Sequence, residues 1–227
     1  MTIAKRLAFI RQKIASLEQQ YHREAGCVTL VAVSKQRTTK DILLAYHEGQ
    51  RAFGENYLQE AIAKIEALKT YNLDWHFIGR IQSNKTRDIA KYFNWVHSVD
   101  HYKIAEKLHQ QRPEKLPALN ICLQVNIDNE ASKSGVKPEL LLALANQIVK
   151  LDRINLRGLM VIPKTTEIFD RQFAVFKRVN ALQKQLETAG IQVDTLSMGM
   201  SHDYQAALAA GSTMIRIGTA IFGEREV

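Results

Sequence analysis

Thr29-Leu-Val-Ala-Val-Ser-Lys35 is the stretch from which the fold can be read: short, apolar, β-branched and closed by a lysine. Such a run predicts a buried strand. In a strand, Val31, Val33 and Lys35 share one face while Leu30, Ala32 and Ser34 share the other. A primary amine at the mouth of an apolar strand is desolvated, which lowers its pKa and favours attack on a carbonyl. Taken alone, Lys35 is better explained as an ordinary lysine marking a strand's exit into solvent. The residues around it reverse that reading.

Upstream, Ile3, Leu7, Ile10, Ile14 and Leu17 recur at steps of four and three, one apolar stripe of an opening helix. Downstream, strand and helix signals alternate with little loop between them. The first strand, 28–34, leads to a helix that follows Thr38 and Thr39 and closes at Gly49. Strands at 51–54 and 74–79 are followed by helices at 57–68 and 85–92. A strand at 95–99 then runs to Asp100, the expected N-cap of a helix at 101–110. The fifth strand is 119–127, after which Pro138 opens a helix at 139–150. The sixth, 154–162, precedes a long helix at 167–189 that Gly190 can cap, and the seventh, 193–198, a short one at 204–210. The eighth, 213–217, leaves 220–223 to lead into the tail. Eight strand–helix units with no linker predict one domain over residues 1–227, a single (β/α)8 TIM barrel with an extra N-terminal helix. Alternation alone would equally suit a doubly wound open sheet. The count of eight tips the choice to the barrel.

With 227 residues, 46% of them hydrophobic, the chain can bury one substantial core. Cys27 and Cys122 have no metal-type or redox-type neighbours, which points to a reducing compartment. Lys5, Arg6, Arg11 and Lys13 interrupt the N-terminal segment, so it lacks the apolar core of a signal peptide. No stretch approaches the roughly 20 apolar residues of a membrane helix. A soluble, cytoplasmic protein is expected. The net charge of +8 is spread along the chain with acidic residues interleaved, and no basic block or RNA-binding signature accompanies it. A nucleic-acid partner is therefore not expected, whereas a ligand carrying phosphate suits such a surface.

In a β/α barrel the active face is built from the C-terminal strand ends and the loops beyond them. Lys35, Gly54-Glu55-Asn56, His76 to Gly79, Asn126, Met160, Ser197 to Ser201 and Arg216 to Thr219 all fall there. Barrels commonly bind phosphate with the loops after strands seven and eight. Gly199, Ser201, Gly218 and Thr219 are small or hydroxylated residues that would let backbone amides approach one, although turn glycines would look the same. Arg216 is apolar-flanked in Met214-Ile-Arg-Ile217, so its guanidinium should point into the barrel. There it needs a partner, either a ligand atom or a carboxylate such as Glu55. A lysine for an imine, an arginine for a ring nitrogen and a phosphate cup together describe pyridoxal 5′-phosphate. Other constellations are weaker. His97 and His101 straddle a strand end and a helix start, so no metal site is expected. Ser34 and Lys35 point to opposite faces and make no catalytic pair. Ser132-Lys-Ser-Gly135 reads as a solvated loop before it reads as a second phosphate site.

Assembled in order, LVAVSK (30–35), GENYLQE (54–60), WHFIGRIQSNK (75–85), VNIDNEASKSG (125–135), GLM (158–160), LSMGMS (196–201) and RIGTAIFG (216–223) closely resemble the YggS/PROSC family of pyridoxal-phosphate-binding, or pyridoxal phosphate homeostasis, proteins. The match covers nearly the whole chain. It implies a barrel of the alanine-racemase N-terminal type with the cofactor held as an internal aldimine. By position, Lys35 matches the aldimine lysine, Arg216 the residue facing the pyridine nitrogen, and Ser201, Gly218 and Thr219 the phosphate cup. Asn56 and Met200 match positions lining the cofactor. His202 departs from the acidic residue more usual in the family, and Val161 with Lys164 alters the small-residue run after GLM.

An arginine at the ring nitrogen keeps that nitrogen unprotonated, which weakens the ring as an electron sink. Racemases of this type add a tyrosine base from a second domain, and the chain reaches Val227 soon after its eighth strand without one. The expectation is a carrier that buffers or delivers pyridoxal 5′-phosphate in vitamin B6 homeostasis, without catalytic turnover and as a monomer. Recipients of the cofactor would be pyridoxal-phosphate-dependent apoenzymes or enzymes of the B6 pathway. The rival expectation is an amino-acid racemase or lyase pairing Lys35 with Tyr57 or His202.

Overall fold

Alternation of side chains along β1 (Thr29–Val33) divides the apolar residues into two layers. Val31 points inward and joins a small buried cluster with Ala52, Trp95, Cys122, Met160 and Met214. Ala32 points outward into a much larger cluster shared with the surrounding helices. The computed structural model describes residues 1–130 and 134–224. In it β1 is followed by β2 (Ala52–Glu55), β3 (Asp74–Phe77), β4 (Trp95–Val99), β5 (Leu119–Gln124), β6 (Ile154–Met160), β7 (Thr195–Ser197) and β8 (Met214–Ile217). Each strand pairs in parallel with the next, and β8 closes on β1 to complete the barrel. Closure leaves no edge strand among the described residues, and both sheet faces are buried, so the polar residues on these strands must find partners inside the fold.

The helices are α1 (Ile3–Gln20), α2 (Thr39–His47), α3 (Leu58–Ala67), α4 (Thr86–Tyr92), α5 (Tyr102–Gln111), α6 (Leu141–Ile148), α7 (Phe169–Thr188), α8 (Tyr204–Ala209) and α9 (Thr219–Phe222). The expected N-terminal stripe is the buried face of α1: Leu7, Ile10 and Ile14 pack toward α2, α8 and α9. Each such aliphatic side chain contributes about 1.5–3 kcal/mol when fully buried. Thr38, one of the two threonines expected to precede this helix, caps α2, and the structure adds a reciprocal capping box with Asp41.

Several boundaries differ for local reasons. The run 119–127 leaves the sheet after Gln124, because Asn126 closes a loop by bonding the Glu130 backbone through both ends of its amide. Pro138 opens a 3-10 turn, Pro138–Leu140, and α6 starts only at Leu141. His101, not Asp100, occupies the cap position of α5, and Asp100 instead bonds His101 Nδ1 at 2.6 Å. The short helix α9 was not expected from sequence. Ser132 and Lys133 of the 132–135 loop lie outside the described residues. Among the described residues no helix is long and apolar enough to cross a membrane.

Candidate functional site

The pairing of β1 with β8 sets Val31 beside Arg216, so the strand that presents Lys35 and the strand that presents the buried arginine are neighbours. Lys35 lies two residues beyond β1, in the turn that follows it, and is half-buried. Gly218 follows β8 against that strand: a methyl group there would sit 3.3 Å from the Val33 carbonyl oxygen. Thr219 is exposed at the start of α9.

Arg216 is only 4% exposed. Its Nη1 donates to the Ser197 carbonyl and to Ser197 Oγ, each at 2.6 Å, and its Nη2 donates to the Val161 carbonyl at 2.9 Å. The alternative carboxylate partner is corrected by this geometry. Glu55 lies on the outer face of β2 and is taken by Ser34 and Lys64. A guanidinium carries five N–H donors, so three accepted bonds leave two for a ligand. Burial lowers the Arg216 pKa to about 10, still well above neutrality. Val161, a departure from the family pattern, thus supplies one of the carbonyls that hold this arginine. Lys164 is tied elsewhere, its backbone N–H donating to Asp128 at 2.7 Å.

The loop after β7 is fastened to the same point. The Gly199 carbonyl accepts Arg216 N–H at 2.9 Å, and Gly199 takes φ +101°, where a Cβ would also meet Ala207 at 2.7 Å. Only glycine fits there. Met200 and Ser201 are half-buried in the turn that follows. Asp203, which the sequence reading did not single out, braces that turn by accepting the Met200 N–H at 2.6 Å. Its carboxyl is raised above the usual range, chiefly by burial. His202 is exposed. On the other side, Asn56 is half-buried after β2, and its Oδ1 is buried without a hydrogen-bond partner among the described residues. Gly79 after β3 packs so closely on Asn56 that a Cβ would lie 2.1 Å from the Asn56 carbonyl oxygen.

Behind β1 stands a charged cluster that sequence reasoning missed. Lys64 of α3 donates to the Ser34 carbonyl at 2.7 Å, to Glu55 Oε1 at 2.8 Å and to Glu60 Oε1 at 2.6 Å. Glu60 in turn accepts the backbone N–H of Gln36, a non-glycine residue held at φ +58°. The two residues flanking Lys35 are therefore gripped from one turn of α3. Burial raises the Glu55 pKa, and its Oε2 has no partner among the described residues. The sequence signal was Lys64 itself, a lysine on the apolar stripe of its helix. His97 lies in β4 and His101 at the start of α5, apart as the sequence suggests; a pairing the sequence did not show joins His97 to His76 inside the barrel at 2.9 Å, while His101 bonds Asp100 outside.

These groups suit a ligand with a carbonyl, a ring nitrogen and a phosphate. An amine follows β1, and among the described residues a buried arginine keeps two donors unspent and the Asn56 side-chain carbonyl oxygen has no partner. Two glycine-containing loops, after β7 and after β8, lie beside them. Comparison with known proteins agrees. The family described as "Alanine racemase, N-terminal domain" matches residues 6–226. The pyridoxal phosphate homeostasis protein of Vibrio cholerae is 48% identical over 229 residues, covering 99% of this chain and 97% of the relative. That of Pseudomonas aeruginosa is 50% identical over 225 residues, covering 99% and 96%. Among solved structures, PipY of Synechococcus elongatus with pyridoxal phosphate bound superposes with a TM-score of 0.85 at 37% identity, over 98% of this chain and all of PipY. Alanine racemase from Corynebacterium glutamicum shares the fold, with a TM-score of 0.68 at 17% identity over 96% of this chain and 61% of the racemase.

Proposed function

Since the chain belongs to the pyridoxal phosphate homeostasis proteins, within the alanine racemase N-terminal-domain family, we propose that it holds pyridoxal 5′-phosphate covalently on Lys35 and serves as a reversible carrier of that cofactor. The observation that carries this reading is the register of β1 and β8, which sets the lysine-bearing strand beside a buried arginine with two unspent donors. When bound, the cofactor supplies an aldehyde for the lysine and a ring whose electron demand depends on its nitrogen.

The residues divide the work by position. Lys35 provides the amine in the turn after β1. The Gly199–Ser201 and Gly218–Thr219 backbones receive the phosphate, and Asn56 and Met200 line the walls. Arg216 donates to the ring nitrogen and does not surrender its proton near neutral pH. The ring is left a poor electron sink, which supports holding over turnover. The relatives' name, homeostasis protein, agrees with a carrier.

The test is an absorbance spectrum of the purified protein after incubation with pyridoxal 5′-phosphate, wild type against Lys35→Ala, with and without borohydride. A band near ~420 nm, typical of the cofactor joined to an amine, should be fixed on Lys35 by reduction and be absent from the variant. A panel of amino acids added to the same sample should leave α-hydrogens unexchanged. No band in the wild type overturns the cofactor assignment, and rapid exchange replaces the carrier with a racemase or lyase.

A further inference from the structure

Inside the barrel, below the site, five polar residues form one continuous line. Arg216 Nη1 donates to Ser197 Oγ at 2.6 Å, and Ser197 Oγ lies 2.8 Å from His97 Nδ1. His97 Nε2 lies 2.9 Å from His76 Nδ1, and His76 Nε2 lies 3.1 Å from Asp74 Oδ2. Ser197, His97 and His76 are fully buried, whereas Asp74 opens the N-terminal end of β3 and its side chain is 41% exposed. The line therefore runs from the solvent-facing floor of the barrel to the buried guanidinium at the ligand-facing end.

The direction of every bond follows from its end groups. Arginine only donates, so Ser197 Oγ accepts from it and has one hydrogen left to give. His97 Nδ1 is the acceptor placed to take it, which puts the His97 proton on Nε2. That proton is given to His76 Nδ1, and the His76 proton on Nε2 is given to Asp74. Reversing the line would need His97 to donate to Ser197, and the buried hydroxyl hydrogen would then have no acceptor. Such an orphan is costly. A charged His97 is opposed as well, since burial, His76 and Arg216 all hold its pKa well below the usual value. The flat face of Trp95 stacks on His76 at 5.5 Å and fixes the plane of that ring.

We propose that Ser197, His97, His76 and Asp74 are positioning residues for Arg216, acting as a one-way hydrogen-bond line that fixes the guanidinium and directs the Nε2–H of each histidine away from it. The proposal deepens the cofactor reading above and rests on it only for the role of Arg216 toward the ring nitrogen. It explains why two histidines occupy a barrel interior otherwise filled by Val31, Ala52, Cys122, Met160 and Met214. An apolar pair would pack there, but would leave the Ser197 hydroxyl hydrogen without its acceptor and so free Ser197 Oγ to turn away from Arg216.

The experiment is a long-range proton–nitrogen NMR spectrum of 15N-histidine-labelled protein at pH 7.5, paired with titration by pyridoxal 5′-phosphate. The wild type should show His76 and His97 both as the Nε2–H tautomer without any ligand. In Ser197→Ala the His97 tautomer should become mixed, and cofactor affinity should fall about tenfold, the effect of stripping one partner from a buried polar group. His97→Leu should lose affinity similarly, and His97→Gln, which can both accept and donate, should recover most of it. Ser197→Ala removes a single hydroxyl and keeps the test open if His97→Leu fails to fold. An imidazolium or an Nδ1–H tautomer at His97 overturns the line. Unchanged affinity in folded Ser197→Ala overturns its positioning role. Uptake of no cofactor by the wild type overturns the function proposed above, while the ligand-free tautomers still decide the line itself.

Discussion

Lys64 Nζ lies 2.8 Å from Glu55 Oε1 on the outer face of the barrel. Both side chains are buried, at 7% and 0% exposure. All three ammonium protons are used, on Glu55, Glu60 and the Ser34 carbonyl, so the lysine is fully satisfied. A pair of this kind contributes little relative to an apolar replacement of both partners, but removing one partner strands the other. Its position gives it a second consequence. Through Ser34 and, by way of Glu60, Gln36, the cluster fixes the backbone on both sides of the proposed cofactor lysine.

Lys64→Met should therefore destabilise the fold by about 3–5 kcal/mol, the cost of an uncompensated buried charge. Urea unfolding checks this. In protein that remains folded, the share of cofactor trapped on Lys35 by borohydride should fall, because Gln36 loses the support for its left-handed conformation. Glu55→Gln, which can still accept from Lys64 and Ser34, should cost markedly less. Equal costs for the two variants would show that the cluster is not acting as an ion pair.

Gly79→Ala tests how the loops after β2 and β3 are joined. The new Cβ would lie 2.1 Å from the Asn56 carbonyl oxygen and 2.8 Å from its Cα. Backbone, not a flexible side-chain tip, must move. The expected loss is about 1–3 kcal/mol, in the range of overpacking, with weakened cofactor binding because Asn56 is displaced. Thermal melts with and without pyridoxal 5′-phosphate would show both. A variant with wild-type melting in both conditions would mean that the two loops are not packed in this way.

The two cysteines separate the inner from the outer layer. Cys122 is fully buried inside the barrel, and burial raises its pKa to about 12. Cys27 is half-buried next to Glu18, and its pKa is raised as well. Thiolate is the reactive form. Alkylation of the native protein should be slow at Cys27 and undetectable at Cys122 until denaturant opens the barrel, as read by mass spectrometry of digests. Early modification of Cys122 would show that the strands part easily.

The barrel was legible because its signals are local and repeated. β1 declares itself by an apolar β-branched run, and eight strand segments alternating with helices leave few architectures. The residues proposed to hold the cofactor were legible for the same reason, as each lies at or a few residues beyond the C-terminal end of a strand. The illegible parts are pairings between segments distant in sequence. Ser34 meets Lys64 only when α3 lies on β1, and His97 meets Ser197 across 100 residues of chain. Charge on an apolar helix stripe, as at Lys64, or polar residues two apart on a strand, as at Asp74 and His76, mark that something is buried. They do not say with what. Arg216 shows the limit well: its burial could be read from Met214-Ile-Arg-Ile217, but its true acceptors, Ser197 and Val161, could not.

His97 gives the fold a specific response to acid. Burial, then His76, then Arg216 hold its pKa well below 6.5 in the folded protein. In the unfolded chain the same imidazole takes a proton as pH falls through about 6.5. Below that point the unfolded state binds more protons than the folded one, so stability rises with pH and is lost on acidification, by at most about 1.4 kcal/mol per pH unit for one group. Glu55 and Asp203 lean the other way. Their pKa values are raised by burial above 4.5 and 3.8, so the folded state holds their protons more tightly from those values upward. The wild-type curve alone mixes these opposing slopes. The difference between wild type and His97→Gln isolates the histidine, because Gln does not titrate and can keep the same two hydrogen bonds. Urea unfolding from pH 7.5 to 5 should give a constant difference above about pH 7 and, below 6.5, a wild type that loses ground steadily to the variant. A difference that stays flat down to pH 5 would mean that His97 accepts its proton in the folded barrel, and with it that the bond to Ser197 can reverse.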